Sequence, residues 1–212
     1  MQSTQNSVLV DIIRHGESWS NAGLPTDAPH SIPLTDKGRA QAHAVAESFN
    51  GMAPPGLIVI SPYTRTGDTA APTIARFPQV PVEMWPIHEF THLDLERYRG
   101  TTREDRHSGA RAYWTRNDPD YVDGVGAESF NQMIGRVDGM FNRLQALRTP
   151  HATVFCHGLF MQAALMRLER PDLQGADLMR HFDAWRPDNH VPNTGRLRLA
   201  VQPSHVRVVS RW

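Results

Sequence analysis

Two kinds of segment alternate along the chain. Val8-Leu9-Val10-Asp11-Ile12-Ile13 is a short, β-branched apolar run, and its length and composition predict a buried strand over 8–13. Leu57–Ile60 and Ala152–Cys156 read the same way, and a further strand is expected around Val82 to Trp85. Between these runs the apolar positions change to helical spacing. Ala40, Ala44, Val45 and Phe49 follow Thr35, a suitable N-cap for a helix through about Asn50. A second helix is expected near 65–76. Phe130, Ile134, Val137, Phe141 and Leu144 make one apolar stripe of a helix over 128–147. Another helix begins at Gly158. Arg196–Val201 and Val206–Val209 form a closing hairpin across Gln202-Pro203-Ser204. Strands that alternate with helices imply an α/β fold whose sheet is covered on both faces. Residues 20–34 are a loop rich in Pro and Asp. Residues 87–126 are long and polar, and are expected to form an insertion that covers a site.

The ends of the predicted strands carry the chemistry. Arg14-His15-Gly16 follows the first, Ser61-Pro62-Tyr63-Thr64-Arg65 the second, His88-Glu89 the third and His157-Gly158 the fourth. In an open α/β sheet, ligands bind beyond the carboxyl ends of the strands. A neutral imidazole can attack a phosphoryl group, which makes His15 the expected nucleophile. The forks of Arg14 and Arg65 match phosphate oxygens. His157 can donate to the same oxygens, Gly158 opens a helix whose amides face an anion, and Asn21 can add a donor. Each residue also has a plainer reading. An Arg-His pair can be a surface ion-pair element, Arg65 a helix-start partner for an acid, and Asn21 a turn residue.

The same residues carry a family resemblance. Arg14-His15-Gly16-Glu17-Ser18, Asn21, Pro33-Leu34-Thr35, Gly38 and Gln41-Ala42 resemble the opening of the histidine phosphatase superfamily, which also contains the phosphoglycerate mutases. Ser61-Pro62-Tyr63-Thr64-Arg65 with Thr69-Ala70 is similar to its second motif, with Tyr63 and Asp68 in place of the usual Leu and Gln. Gly126–Phe130 with Arg136-Val137 resembles a family helix start, and Phe155–Gly158 its late His-Gly motif. The order of the motifs is the family's, across roughly residues 8 to 200. The resemblance implies a three-layer α/β/α sandwich with a mostly parallel sheet and a partly helical cap, as a single domain with the insertion at about 87–126. It implies the same roles for Arg14, His15, Asn21, Arg65, His157 and Gly158. It also implies a proton donor after the third strand, which points to Glu89, with His88, Asp94 and Glu96 as nearby rivals.

Composition narrows the picture further. The 212 residues carry 22 basic and 22 acidic side chains, for a net charge of zero. That gives no footing for a nucleic-acid partner or an anionic membrane. The single Cys156 excludes an internal disulfide and fits a cytoplasmic setting; a cysteine phosphatase would need Arg where Gln162 stands. Met1–Ser7 is polar without a positive region, so no signal peptide is expected. No histidines stand at zinc spacing, and neither a metal nor another cofactor is expected. The expectation is a metal-independent phosphomonoesterase that forms a phosphohistidine on a phosphorylated small molecule. One alternative is a phosphoglycerate mutase. Against it, residues 90–125 lack both Lys and an adjacent Arg pair, and their six Arg are matched by seven acids, although Arg97 and Arg99 remain able to grip a carboxylate. The other alternative is a catalytically silent module that binds phosphate or phosphoproteins. Oligomeric state has no signature in the sequence.

Overall fold

A computed structural model describes residues 7–212; Met1–Asn6, most of the polar N-terminal stretch, lie outside the described residues. Six strands form one sheet: β1 (Val8–Arg14), β2 (Leu57–Ile60), β3 (Val82–Met84), β4 (His151–Cys156), β5 (Arg196–Gln202) and β6 (His205–Arg211). The order across the sheet is β3-β2-β4-β1-β5-β6. The first four are parallel, and β5 and β6 are antiparallel additions.

The apolar runs that look continuous in sequence split between the two faces, because successive side chains on a strand point opposite ways. Val8, Val10 and Ile12 of β1, Leu57 and Val59 of β2, and Ala152, Val154 and Cys156 of β4 enter one core. Ile13, Ile58 and Phe155 enter the other. That second, smaller core is closed by Val45 and Phe49 at and beyond the end of α1 (Asp36–Glu47), and by Ala70 of α2 (Thr64–Arg76). The larger core takes the stripe of α4 (Phe130–Ala146), most of α5 (Gly158–Glu169), and Leu178, Met179 and Phe182 of α6 (Gly175–Trp185). Three layers result. Thr35 caps α1 by accepting from the Gly38 amide at 3.0 Å. A reciprocal Ser129/Gln132 capping box starts α4 at Phe130, the first residue of the apolar stripe and two residues after the expected start at 128.

The segment between β3 and α4 is less polar in its packing than in its sequence. It contains α3 (His107–Arg116). Tyr113 and Trp114 of α3 join Phe90, Phe130 and Phe182 in a cluster of edge-on and tilted rings. This segment is also pinned to the 20–34 loop by a bridge between Thr26 and Thr101.

Candidate active site

Arg14, His15, Arg65, Glu89 and Gly158 converge on one cleft of about 1030 Å³, at the carboxyl ends of the parallel strands. Asn21 lines it as well, while His157 lies fully buried just beneath.

The loop that carries His15 is clamped from below. The Gly16 amide donates to Thr69 Oγ1 at 3.0 Å, and the Glu17 amide to Gln41 Oε1 at 2.8 Å. Thr35 Oγ1 donates to the Glu17 carboxylate at 2.9 Å. Helix α1 comes close enough that a Cβ on Gly38 would lie 2.0 Å from the Glu17 carbonyl oxygen, and one on Gly16 would lie 2.5 Å from the Gly38 carbonyl oxygen. Thr35, Gly38, Gln41 and Thr69 thus hold the loop, and none of them lines the cleft.

His15 is oriented by its own loop. Its Nδ1 lies 2.7 Å from the Gly16 carbonyl oxygen. A carbonyl only accepts, so Nδ1 carries the proton and Nε2 keeps its lone pair. That lone pair accepts from Arg65 Nε at 3.0 Å. Burial first, then the charges of Arg65 and Arg14, hold the His15 pKa well below the ordinary histidine value. The ring is therefore neutral at pH 7.

The two guanidinium groups are fixed by backbone carbonyls. Arg14 Nη1 donates to Val191 O and Arg65 Nη1 to Pro29 O, each at 2.6 Å. Burial lowers both their pKa values, that of Arg65 to about 10. Arg14 Nε is buried with no partner among the described residues, and so is His157 Nδ1. Gly158 leaves room for this, since a Cβ there would press on Arg14 Nε at 3.3 Å. The rings of His15 and His157 meet edge to face with centroids 5.2 Å apart.

Glu89 occupies the start of α5. Its carboxylate accepts from the amides of Leu159 at 3.3 Å, Phe160 at 3.2 Å and Phe90 at 3.1 Å. The helix-start donors that sequence reasoning reserves for a ligand anion are thus taken up by this side chain. Its charge also bears on both Arg14 and Arg65. Asn21 spends its carbonyl oxygen on the Ser18 amide and hydroxyl, each at 3.2 Å, and on Asn193 Nδ2 at 3.0 Å, while its own Nδ2 has no partner among the described residues. Among the rival donors, Asp94 is tied to the amides of Glu96 and Arg97, both at 2.9 Å.

The segment between β3 and α4 presents different arginines from those that sequence spacing singles out. Arg97 is paired with Asp123 at 3.1 Å and does not line the cleft, nor does Arg99. Arg103, Arg106 and Arg111 do, together with His107 and His190. Sequence reasoning also passes over Pro29, Val191 and Asn193, which act through backbone oxygens or from loops. No residue type marks such a contribution in advance.

The residues match a known family model, histidine phosphatase superfamily branch 1, over 10–192. The chain belongs to the histidine phosphatase superfamily. The fold agrees with solved members. An alpha-ribazole phosphatase from Shigella flexneri superposes with a TM-score of 0.73 at 20% identity, covering 96% of each chain. A mycobacterial glucosyl-3-phosphoglycerate phosphatase gives 0.69 at 23% identity, covering 96% of this chain and 97% of that one. Among curated proteins, a PE-PGRS family protein of Mycobacterium tuberculosis is 34% identical over 93 residues, which is 42% of this chain and only 16% of that protein. Among the described residues, no group of three His, Cys, Asp or Glu is placed to hold a metal ion, and no helix is long and apolar enough to cross a membrane.

Proposed function

We propose that this protein is a metal-independent phosphomonoesterase that works through a phosphohistidine on His15, with a phosphorylated small molecule as substrate. One observation carries the reading. A neutral histidine, its Nδ1 proton held by Gly16 O, stands beside two buried nitrogens, Arg14 Nε and His157 Nδ1, that have no partner among the described residues. A buried polar group left unpaired costs roughly 1–3 kcal/mol. A phosphoryl group seated against His15 satisfies both.

The steps follow from the placement. Phosphate oxygens take the donors of Arg14, Arg65, His157 and Asn21. Arg65 Nε then turns from His15 Nε2 to the phosphate, which frees the lone pair for in-line attack. The N–P bond forms as the ester O–P bond breaks. The leaving oxygen takes a proton from Glu89, which lines the cleft beside Arg14 and Arg65. Water then attacks the phosphohistidine, gives its proton to Glu89, and inorganic phosphate leaves. The solved relatives named for alpha-ribazole and glucosyl-3-phosphoglycerate phosphatase activity support a small phosphorylated metabolite as the substrate class.

The test is turnover and trapping. Brief incubation with a good phosphate ester should label His15 with an acid-labile, alkali-stable phosphate, and His15→Ala should lose nearly all hydrolysis of p-nitrophenyl phosphate. Activity should persist in EDTA. An alanine variant near the wild-type rate sinks the nucleophile assignment, and loss of activity in EDTA that a divalent cation restores sinks the metal-free one.

A further inference from the structure

Ser61 directly follows β2 with its side chain buried, and no step above uses it. Its backbone is held on both sides: the amide donates to Phe155 O at 3.1 Å, and the carbonyl accepts from Thr66 Oγ1 at 3.0 Å. Its hydroxyl oxygen is 2.7 Å from His157 Nε2 and also accepts the Tyr63 amide at 3.3 Å. A serine hydroxyl has one proton and two acceptor positions. With Tyr63 N–H on the oxygen, two arrangements remain. If His157 Nε2 carried the ring proton, it would fill the second acceptor position, and the serine proton would need another acceptor. Among the described residues Ser61 Oγ has none. If Ser61 donates to Nε2, the serine hydroxyl is fully used, and the ring proton moves to Nδ1, the nitrogen with no partner among the described residues until a phosphoryl group arrives.

We infer that Ser61 is a positioning residue that makes His157 a hydrogen-bond donor while its ring is neutral, by fixing the proton on Nδ1, the nitrogen left for the phosphoryl group. The inference rests on the phosphatase reading for its consequence, but the tautomer itself does not. It also answers an electrostatic difficulty. Burial first, then the charges of Arg65 and nearby groups, keep the His157 pKa well below the usual histidine value. The imidazolium is therefore not at hand to donate. In the other tautomer, a lone pair on Nδ1 would face the phosphate oxygens and repel them. Tyr63, where the family more often has Leu, packs edge-on to His157 with centroids 5.2 Å apart, so the ring cannot swing to find another partner without displacing it.

Two measurements test this. Long-range ¹H–¹⁵N spectra of the histidine rings, with the His157 signals assigned from their loss in His157→Ala, should show the proton on Nδ1 in the wild type and shared between the nitrogens in Ser61→Ala. Kinetically, Ser61→Ala should lower kcat about tenfold with little change in KM, less than the 10²–10³ that removal of a charge-stabilising donor costs. In a His157→Ala background the same change should have almost no further effect, because the two act as one unit. A wild-type proton on Nε2 overturns the inference, and so does an equal tenfold loss in both backgrounds. A protein that hydrolyses no phosphate ester would remove the phosphatase reading and leave the spectra to decide the tautomer.

Discussion

Glu89 accepts from three amides, and in the proposed mechanism it also protonates the leaving group, so its removal can read out in two ways. A proton donor matters only where the leaving oxygen leaves reluctantly. Glu89→Gln should therefore slow an alkyl phosphate by about 10²–10⁴ and p-nitrophenyl phosphate far less. Equal slowing of both would assign Glu89 to holding α5 instead. Arg65→Ala removes the guanidinium nearest His15 and should cost about 10²–10³ in rate with the fold intact, as circular dichroism would show. A different residue governs stability. Asp11 is fully buried on β1, 2.7 Å from Arg198 and 3.1 Å from His151. Burial alone would raise its pKa, but the bonds from His151 and Arg198 and the charge of Arg196 hold it well below the usual carboxylate range. Its contribution is thus present above the unfolded carboxylate pKa and lost as pH falls through the folded one. Asp11→Ala leaves Arg196 and Arg198 facing a void and should destabilise by about 3–5 kcal/mol in urea unfolding. In the sequence, Asp11 is merely a polar residue that interrupts an apolar run.

The elements show where the sequence is readable and where it is not. Runs 8–13, 57–60 and 152–156 are plain because strands buried on both faces need apolar side chains throughout. Helix α4 is plain because only one stripe of it is buried. Helices α3 and α6 do not stand out: α3 buries just Tyr113 and Trp114, and α6 just Leu178, Met179 and Phe182, too few to set a period among their charged neighbours. The structure brings together the side chains at 14, 15, 65, 89 and 157 that the strand ends single out. The backbone oxygens of Pro29 and Val191 and the loop side chain of Asn193, which hold them, follow no pattern that marks them in the sequence. The contact of α1 with the His15 loop gives an element-scale test. Gly38→Ala forces a Cβ into the Glu17 backbone, so it should lower both the melting temperature and kcat, whereas Gly67→Ala, on α2 with open space around it, should lower neither. Between β3 and α4, Arg103 lines the cleft without an ion-pair partner among the described residues. Arg103→Ala should raise KM for substrates that bear a second negative group and leave p-nitrophenyl phosphate nearly unaffected.

Across the whole molecule, buried and half-buried neutral histidines set the response to acid. Burial and then the nearby Arg136 or Arg186 lower the pKa of His88 and His92 from 6.5 to about 4, and those of His15 and His157 also lie well below 6.5. The unfolded chain takes up these protons first, so stability should be full above pH 6.5 and decline as pH falls from there toward 4. Melting curves across that range check the sign; a flat profile would mean these rings charge freely in the folded state. The strand order has a consequence for how the chain is made. β1 pairs only with β4 and β5, and β2 only with β3 and β4. Strand β4 is the wedge between the two early strands, and it emerges from the ribosome more than a hundred residues after β1. Until then β1 has no neighbour, the Arg14-His15 loop has nothing to stand on, and closure must wait on long-range pairing, which is slow. A nascent chain stalled at residue 150 should be fully open to protease along β1, while one extended past β5 should become resistant in a single step.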